Sequence, residues 1–290
     1  MPIQDTSVTK ARIARRSGPL ICSNTFRMSN DGKQYDPGAP PAGKGPGAAA
    51  IEWRIGCSGF HYDSWKEVFY PKGLPKNRWL EHYCQHFSTL EINNTFYRFP
   101  EPRTLERWYG IAPEGFTFTV KAPQDITHLQ RFEGTEDLVE LLYRTLSEGL
   151  QEKLGCILFQ LPPSQAYDEA FLDRMLGQLS TEYNNVIEFR HESWWKPSVY
   201  DRLHSEGVTF SGVSFPGLSP DVISNAPLIY YRFHGVPKLY FSGYTDEFIG
   251  QIVNLVKTDP QARKAYLYFN NTAEAKALTN ARFAQELTVR

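Results

Sequence analysis

The sequence lacks two features that mark common protein classes. It has no apolar run long enough to cross a membrane, which takes about 20 residues, so we expect a soluble protein without a membrane partner. It also lacks a charge excess, because 31 Lys and Arg face 32 Asp and Glu for a formal net charge of −1. A chain so close to neutrality argues against nucleic acid as a partner, and any charge preference must come from a local site.

Cysteine is scarce, and no two cysteines are spaced as a motif. Cys22, Cys57, Cys84 and Cys156 form no C-x-x-C pair, so neither a zinc knot nor a redox motif is visible. Cys57 and Cys156 fall in apolar, strand-like runs, where a reduced and buried thiol is usual. We therefore predict a reducing compartment, the cytoplasm.

Cofactor-binding motifs are missing as well. No G-x-G-x-x-G or Walker loop follows the first strand, and no H-x-H or H-E-x-x-H spacing occurs. Ser58 and Cys57 have no visible base beside them to make either a nucleophile. We predict no cofactor and no metal; a divalent ion held by glutamates and histidines at the strand ends is the weaker alternative.

The first fifty residues differ from the rest. Residues 1–30 are basic and rich in Ser and Thr, and residues 31–50 are a Gly/Pro/Ala-rich linker that cannot pack a core. We predict a disordered extension over 1–50 and one folded domain over 51–290. The basic composition also fits a mitochondrial presequence, which makes a mitochondrial location the alternative.

From residue 53 onward, short β-branched or aromatic runs alternate with amphipathic stretches of helical length. This alternation predicts a parallel sheet with right-handed crossovers, and eight units in about 240 residues favour a closed (β/α)8 TIM-type barrel. The predicted strands cover 53–58, 89–93, 116–122, 156–161, 186–191, 208–214, 228–235 and 265–271.

Side-chain parity sorts each predicted strand into two faces. In TLEIN, for example, Leu90 and Ile92 share the face that should meet the helices, so Glu91 must point into the barrel. The same rule on the other strands gives a polar set at the late positions, where barrel active sites are built. The set comprises Glu91, Asn93, Lys121, Gln160, Glu188, Arg190, Arg232, His234 and Asn270.

The motifs at these strand ends resemble the YecE-like family, a domain family of unknown function with a TIM-barrel-type fold. They are IGCSGFHYDSWKEVFYP, TLEINNTFYRFP, FTFTVKAPQDITH, FQLPPS, EFRHESW, YYRFHG and YFNNT, in the expected order from Ile55 to the C-terminal region. The resemblance implies the barrel and points to the same polar strand ends. It supplies no reaction.

The polar set leads to a functional hypothesis. Glu91 and Glu188 could divide acid and base roles, with His234 or His191 as a proton donor that titrates near neutral pH. Three cations against two carboxylates predict a small ligand that carries a carboxylate or a phosphate. Tyr97, Trp65 and Trp194 are candidates for stacking on a sugar or base at the rim, although Trp65 could equally be a packing anchor.

Three readings follow. The first is an enzyme doing acid–base chemistry of hydrolase, lyase or isomerase type on a small anionic or sugar-like substrate. The second is a non-catalytic metabolite-binding module, and the third is nucleic-acid processing. A purely structural alternative is also open, because paired Glu and Arg can fill a barrel as a buried ion network.

Overall fold

The computed structural model describes residues 50–289. The predicted basic tail, its presequence alternative and nearly all of the Gly/Pro-rich linker lie outside the described residues. Within the described range the chain alternates strands and helices, as its periodicity predicts. The eight strands are β1 (Glu52–Cys57), β2 (Thr89–Ile92), β3 (Thr117–Lys121), β4 (Leu154–Gln160), β5 (Asn185–Glu188), β6 (Thr209–Ser214), β7 (Leu228–Phe233) and β8 (Lys264–Phe269).

The described range contains seven α-helices, of which six connect strands and the seventh follows β8. The β6–β7 connection, residues 215–227, contains no helix, and it is the one departure from regular alternation. The helices are α1 (Trp79–Cys84), α2 (Pro102–Ile111), α3 (Glu136–Leu150), α4 (Glu169–Leu176), α5 (Pro197–Ser205), α6 (Asp246–Thr258) and α7 (Lys276–Val289). No helix in the described range is long and apolar enough to cross a membrane.

All strands pair in parallel, in the order β1-β8-β7-β6-β5-β4-β3-β2. The two ends of this order, β1 and β2, meet only at a bridge between Ser58 and Glu91, where the Gly59 amide donates to the Glu91 carbonyl at 2.7 Å. The sheet is therefore a nearly closed barrel, and the predicted fold class is confirmed.

The β1–β2 seam is completed by a side chain. The Tyr83 hydroxyl of α1 accepts from the Cys57 amide at 2.7 Å and donates to the Thr89 carbonyl at 3.1 Å. A phenol oxygen thus replaces a ladder hydrogen bond that the diverging strands cannot make. Gly56 permits this approach, because a Cβ there would lie 2.2 Å from the Thr89 carbonyl oxygen.

The two faces of the strands separate as parity predicts. Leu90, Ile92, Ile187 and Phe189 belong to the main hydrophobic core, which also contains the buried faces of the helices. The barrel interior is a distinct cluster of Cys156, Leu158, Val186, Tyr230, Tyr266 and Tyr268. Tyrosines rather than aliphatic residues thus fill much of the barrel below the polar strand ends.

Candidate functional site

Arg232, late on β7, connects the two glutamates predicted inside the barrel. Its Nη2 donates to Oε1 of Glu91 at 2.6 Å, and its Nη1 donates to Oε2 of Glu188 at 2.8 Å. Both glutamates are fully buried, and Arg232 is 1% exposed. One guanidinium therefore bridges β2 and β5 across the barrel, and the structure brings these three predicted residues together.

The remaining carboxylate oxygens are also engaged. Tyr230 donates to Oε2 of Glu91 at 2.6 Å, and Asn93 donates to Oε1 of the same glutamate at 3.2 Å. Arg190 Nε donates to Oε1 of Glu188. Every carboxylate oxygen in this group therefore has at least one partner within the protein.

These contacts keep both glutamates ionised. Burial alone would raise the pKa of Glu91, but the charge of Arg232 and its hydrogen bond outweigh burial and hold the pKa below the usual value. The same competition, with Arg190 and Arg232 opposing burial, places the pKa of Glu188 well below its usual value. Both carboxylates therefore favour the ionised form, and a division of acid and base roles between them stays a prediction.

His234 lies in the same network and is fully buried. Its Nε2 is 3.0 Å from Nη2 of Arg190 and 3.4 Å from Oε2 of Glu188, and Nδ1 is 3.0 Å from Nδ2 of Asn270. Burial and the charge of Arg190 lower the pKa of His234 to about 3. This direction favours the neutral imidazole near pH 7, and the predicted role of His234 as a proton donor stays a prediction.

Lys121, at the end of β3, is the third cation of the site. Its Nζ donates to Oε1 of Gln160 at 2.6 Å and lies 3.9 Å from the centre of the Phe96 ring. No carboxylate of the described residues lies within salt-bridge distance of it. Burial, with the charge of Arg232, lowers the pKa of Lys121 to about 7. Among the predicted site residues, Lys121 is the one placed to change charge near neutral pH.

A pocket of about 220 Å³ opens above this network at the carboxyl ends of the strands. Neither glutamate lines it, and neither does His234. Its walls are seven of the predicted residues, with four more from neighbouring loops. They are Asn93, Tyr97, Lys121, Gln160, Arg190, Arg232 and Asn270, together with Tyr62, Phe96, Tyr240 and Thr272.

Two polar atoms at this pocket are buried without a partner in the described residues, Nε of Arg232 and Oδ1 of Asn93. A buried donor without an acceptor is energetically unfavourable by about 1–3 kcal/mol, and more when the donor is charged. Both residues line the pocket, so a bound molecule or water there could supply the missing partners. The polar wall is thus incompletely satisfied by the protein alone.

A second pocket of about 380 Å³ adjoins the first and shares Tyr62 and Asn93 with it. Phe60, His61 and Trp108 contribute its more apolar wall. The first pocket thus has basic side chains, and the second has aromatic side chains. A ligand could place an anionic group in the first pocket and a larger body in the second.

No group of three His, Cys, Asp or Glu side chains within residues 50–289 is arranged to hold a metal ion. The glutamates of the site are bound by arginines, and Lys121 adds a further positive charge beside them. A cation would have to displace an arginine to reach a carboxylate oxygen.

A family model described as a protein of unknown function, DUF72, matches residues 54–290. The chain belongs to the DUF72 family. The YecE-like resemblance predicted the barrel and the strand ends correctly, whereas that particular name is not confirmed by the comparisons.

Relatives of this DUF72 protein include a curated protein and solved structures. The UPF0759 protein YunF of Bacillus subtilis is 27% identical over 270 residues, which cover 80% of this chain and 93% of YunF. A DUF72 family crystal structure from Thermotoga maritima matches 82% of this chain and all of its own with 27% identity and a TM-score of 0.75. One from Enterococcus faecalis, at 19% identity and a TM-score of 0.68, covers 83% of this chain and 98% of its own and supports the fold alone.

Two aromatic residues expected at the rim of this DUF72 barrel lie elsewhere. Trp194 is fully buried, stacks on Phe189 at 4.3 Å between ring centres and donates to the Gln165 carbonyl. Trp65 is also buried and donates to the Thr272 carbonyl, so it is the packing anchor of the two readings. The stacking role of Trp194 is therefore corrected, whereas Tyr97 is 76% exposed at the pocket.

His191 is not part of the network. Its Nδ1 accepts from the Ser193 amide at 3.3 Å, which caps the short 3-10 helix at Glu192–Trp194. The side chain of Arg190 next to it instead reaches Glu188 inside the barrel.

Sequence reasoning missed the aromatic partners of the two outer cations. Phe96 lies against Lys121, and Phe215 lies 4.0 Å below the Arg190 guanidinium. Both follow strand ends, Phe96 in NNTFYRFP after β2 and Phe215 in SFPG after β6. An aromatic residue just beyond a strand end that carries a cation is the signal that could have found them.

Proposed function

We propose that this DUF72 protein is an enzyme that binds a small anionic substrate at its strand-end pocket and performs acid–base chemistry on it. The observation that carries the proposal is a pocket wall that holds three basic side chains and no carboxylate. Arg190 and Arg232 engage both glutamates beneath it, and Lys121 has an amide as its only hydrogen-bonding partner in the described residues. A carboxylate or phosphate would accept hydrogen bonds from the two guanidinium groups.

The roles within this proposal follow from access to the pocket. Arg190 and Arg232 bind the anionic group, and Tyr97 stacks at the rim on a sugar-like body. Lys121, with a pKa of about 7, is the pocket residue that exchanges a proton near neutral pH. The amides of Asn93, Gln160 and Asn270 orient its polar groups. Glu91, Glu188 and His234, first predicted as catalytic, act here as positioning residues, because they hold the arginines from below and do not line the pocket.

One observation favours a non-catalytic metabolite-binding module instead. The two carboxylates that could serve as acid and base are fully buried and hydrogen-bonded, which is a rigid floor and not a reacting pair. A binding module would use the same cations. The two candidates differ in one measurable respect, because a module leaves its ligand unchanged.

Membership of DUF72 adds no reaction, because the family is described as of unknown function. We infer that the YecE-like resemblance of the strand-end motifs refers to this same family. The cytoplasmic location, with the mitochondrial alternative, stays a prediction.

The anion site is tested by thermal unfolding with inorganic phosphate, against chloride at equal ionic strength. Phosphate should raise the Tm by mass action, and Arg190→Gln should lose most of that rise. Arg202→Gln is the matched control, because Arg202 pairs with Asp173 and Glu206 on the exterior and should leave the rise intact.

An unchanged Tm with phosphate and with a panel of small carboxylates would overturn the proposal. Salt-sensitive binding of an oligonucleotide with no response to small anions would support nucleic-acid processing in its place. A Tm rise with any ligand that the protein then consumes would decide for the enzyme over the module.

A further inference from the structure

Lys121 differs from the other two cations of the pocket in having no anionic partner. Arg190 pairs with Glu188, and Arg232 pairs with both glutamates. All four carboxylate oxygens have other partners, and none of them lies within salt-bridge distance of Nζ of Lys121. The amine therefore faces two fixed positive charges without a compensating negative charge of its own.

The contacts of Nζ would leave the lone pair of the neutral amine available to a ligand. A neutral amine has two N–H groups and one lone pair, whereas an ammonium has three N–H groups. One N–H reaches Oε1 of Gln160 at 2.6 Å, and another can point to the Phe96 ring, whose centre is 3.9 Å away. No described residue donates a hydrogen bond to Nζ, so the lone pair is left for the pocket that Lys121 lines.

We propose that Lys121 is a nucleophile that forms an imine with an aldehyde or ketone substrate bearing a carboxylate or phosphate. This inference rests on the proposed anion site, since Arg190 and Arg232 would hold the anionic group and leave the carbonyl carbon beside Nζ. It names the substrate class that the acid–base proposal leaves open, an oxo acid or a phosphorylated carbonyl compound.

The covalent step balances without a further reactant. The lone pair of Nζ forms the new C–N bond while the carbonyl π pair moves to oxygen, and one proton then passes from nitrogen to that oxygen. A proton from solvent converts the hydroxyl into water, which leaves as the nitrogen forms a double bond to carbon. The iminium acquires one positive charge, which the bound anionic group offsets.

Lys153 provides an internal comparison. It is also buried and also lies over an aromatic ring, with Nζ 4.2 Å from the centre of the Tyr109 ring. Its Nζ donates to the carbonyls of Tyr109 and Ala112 at 2.8 and 2.7 Å, at the C-terminal end of α2. Lys153 is buried, makes both of these hydrogen bonds and does not line the pocket, so it should not react.

The experiment uses the full-length protein, glyoxylate as the carbonyl probe and cyanoborohydride to trap the imine. Peptide mass mapping should find one carboxymethyl group on Lys121 formed at least about tenfold faster than on the exposed Lys66 and Lys76, because only an unprotonated amine attacks. The Lys153 peptide should stay unmodified. Glycolate, which has the carboxylate without the carbonyl, should give no adduct and should slow the labelling.

The pH dependence adds a second readout. The groups around Lys121 are Arg190, Arg232, Glu91 and Glu188, and its charge also acts on His128 of the next loop. With a pKa of about 7, Lys121 should reach its full labelling rate just above neutral pH, whereas the labelling of an ordinary lysine amine continues to increase toward about pH 10.

The outcomes separate the two proposals. A Tm rise with phosphate together with labelling of Lys121 at the rate of surface lysines would overturn the nucleophile and leave the anion site standing. Loss of the Tm rise with every small anion would overturn the anion site itself. Lys121→Met is the negative control. This variant should keep the fold, as verified by circular dichroism, and should no longer form the rapidly appearing adduct.

Discussion

Glu188 is the residue on which the charge balance of the barrel interior depends most directly. It accepts from both Arg190 and Arg232, and its own burial is complete. Removing one partner of a buried ion network leaves an uncompensated charge, whereas a surface pair contributes little. The glutamine variant therefore tests whether the network below the pocket stabilises the fold.

We expect Glu188→Gln to lower the free energy of unfolding by about 3–5 kcal/mol, measured by urea denaturation. Glu206→Gln, which removes an exposed partner of Arg202, should lower it by no more than about 1 kcal/mol. Equal and small effects of both changes would contradict the positioning role and return Glu188 to the list of catalytic candidates.

Lys121 should make the free energy of unfolding increase with pH, whereas a lysine that pairs with a carboxylate makes it decrease. Its folded pKa of about 7 lies below the unfolded value near 10.5, so the unfolded chain binds more protons between these two values. The free energy of unfolding contributed by this group therefore increases as pH rises through that window.

Lys121→Met should consequently be more stable than the wild type below about pH 7, with the difference shrinking toward about pH 10. Chemical denaturation across this range measures the effect, and exposed Lys72→Met should show no comparable trend. A difference that grows with pH would mean that Lys121 is stabilised as an ammonium in the folded state.

At the scale of elements, the seam between β1 and β2 is where the barrel has least backbone pairing. Gly56→Ala should destabilise the protein, because the new Cβ would lie 2.2 Å from the Thr89 carbonyl oxygen and 2.8 Å from the Tyr83 hydroxyl. Gly110→Ala in α2 is the matched control, since nothing lies within 4 Å of its Cβ. It should stabilise by about 0.5–1 kcal/mol, and thermal unfolding distinguishes the two signs.

Tyr83→Phe examines the same seam from the helix side. Without the hydroxyl, the Cys57 amide and the Thr89 carbonyl both lose their buried partner, and the loss should be about 1–3 kcal/mol per unpaired group at most. Urea denaturation gives the value. Tyr109→Phe serves as the control, because its exposed hydroxyl contacts only Glu152, and a loss as large as that in Tyr83→Phe would contradict the bridging role.

At the scale of the whole molecule, the barrel and its inward-facing residues could be predicted because both follow from local periodicity. Strand parity alone separated Leu90 from Glu91, and the structure keeps them on opposite faces. Seven of the predicted residues line the same pocket, since parallel strands end at one edge of the barrel.

What the sequence could not provide were the distances between side chains of different strands. Arg232 donates to both glutamates at once, and neither glutamate pairs with Lys121. No pattern within a single strand indicates these contacts between strands. Trp194 is buried because it stacks on Phe189 and donates to the Gln165 carbonyl, and the sequence pattern around Trp194 does not indicate these contacts. Charge and amide content indicated a site, but hydrogen-bond geometry decided which of its members face the pocket.

The seam and the site meet at one residue. The Glu91 carbonyl accepts from Gly59 where β1 joins β2, while its carboxylate binds the guanidinium that lines the pocket. Amide hydrogen exchange should therefore be faster along the β1–β2 junction than along the six-residue β1–β8 ladder. A ligand that immobilises Arg232 should slow exchange at Gly59, which makes one backbone amide a reporter of occupancy at the strand ends.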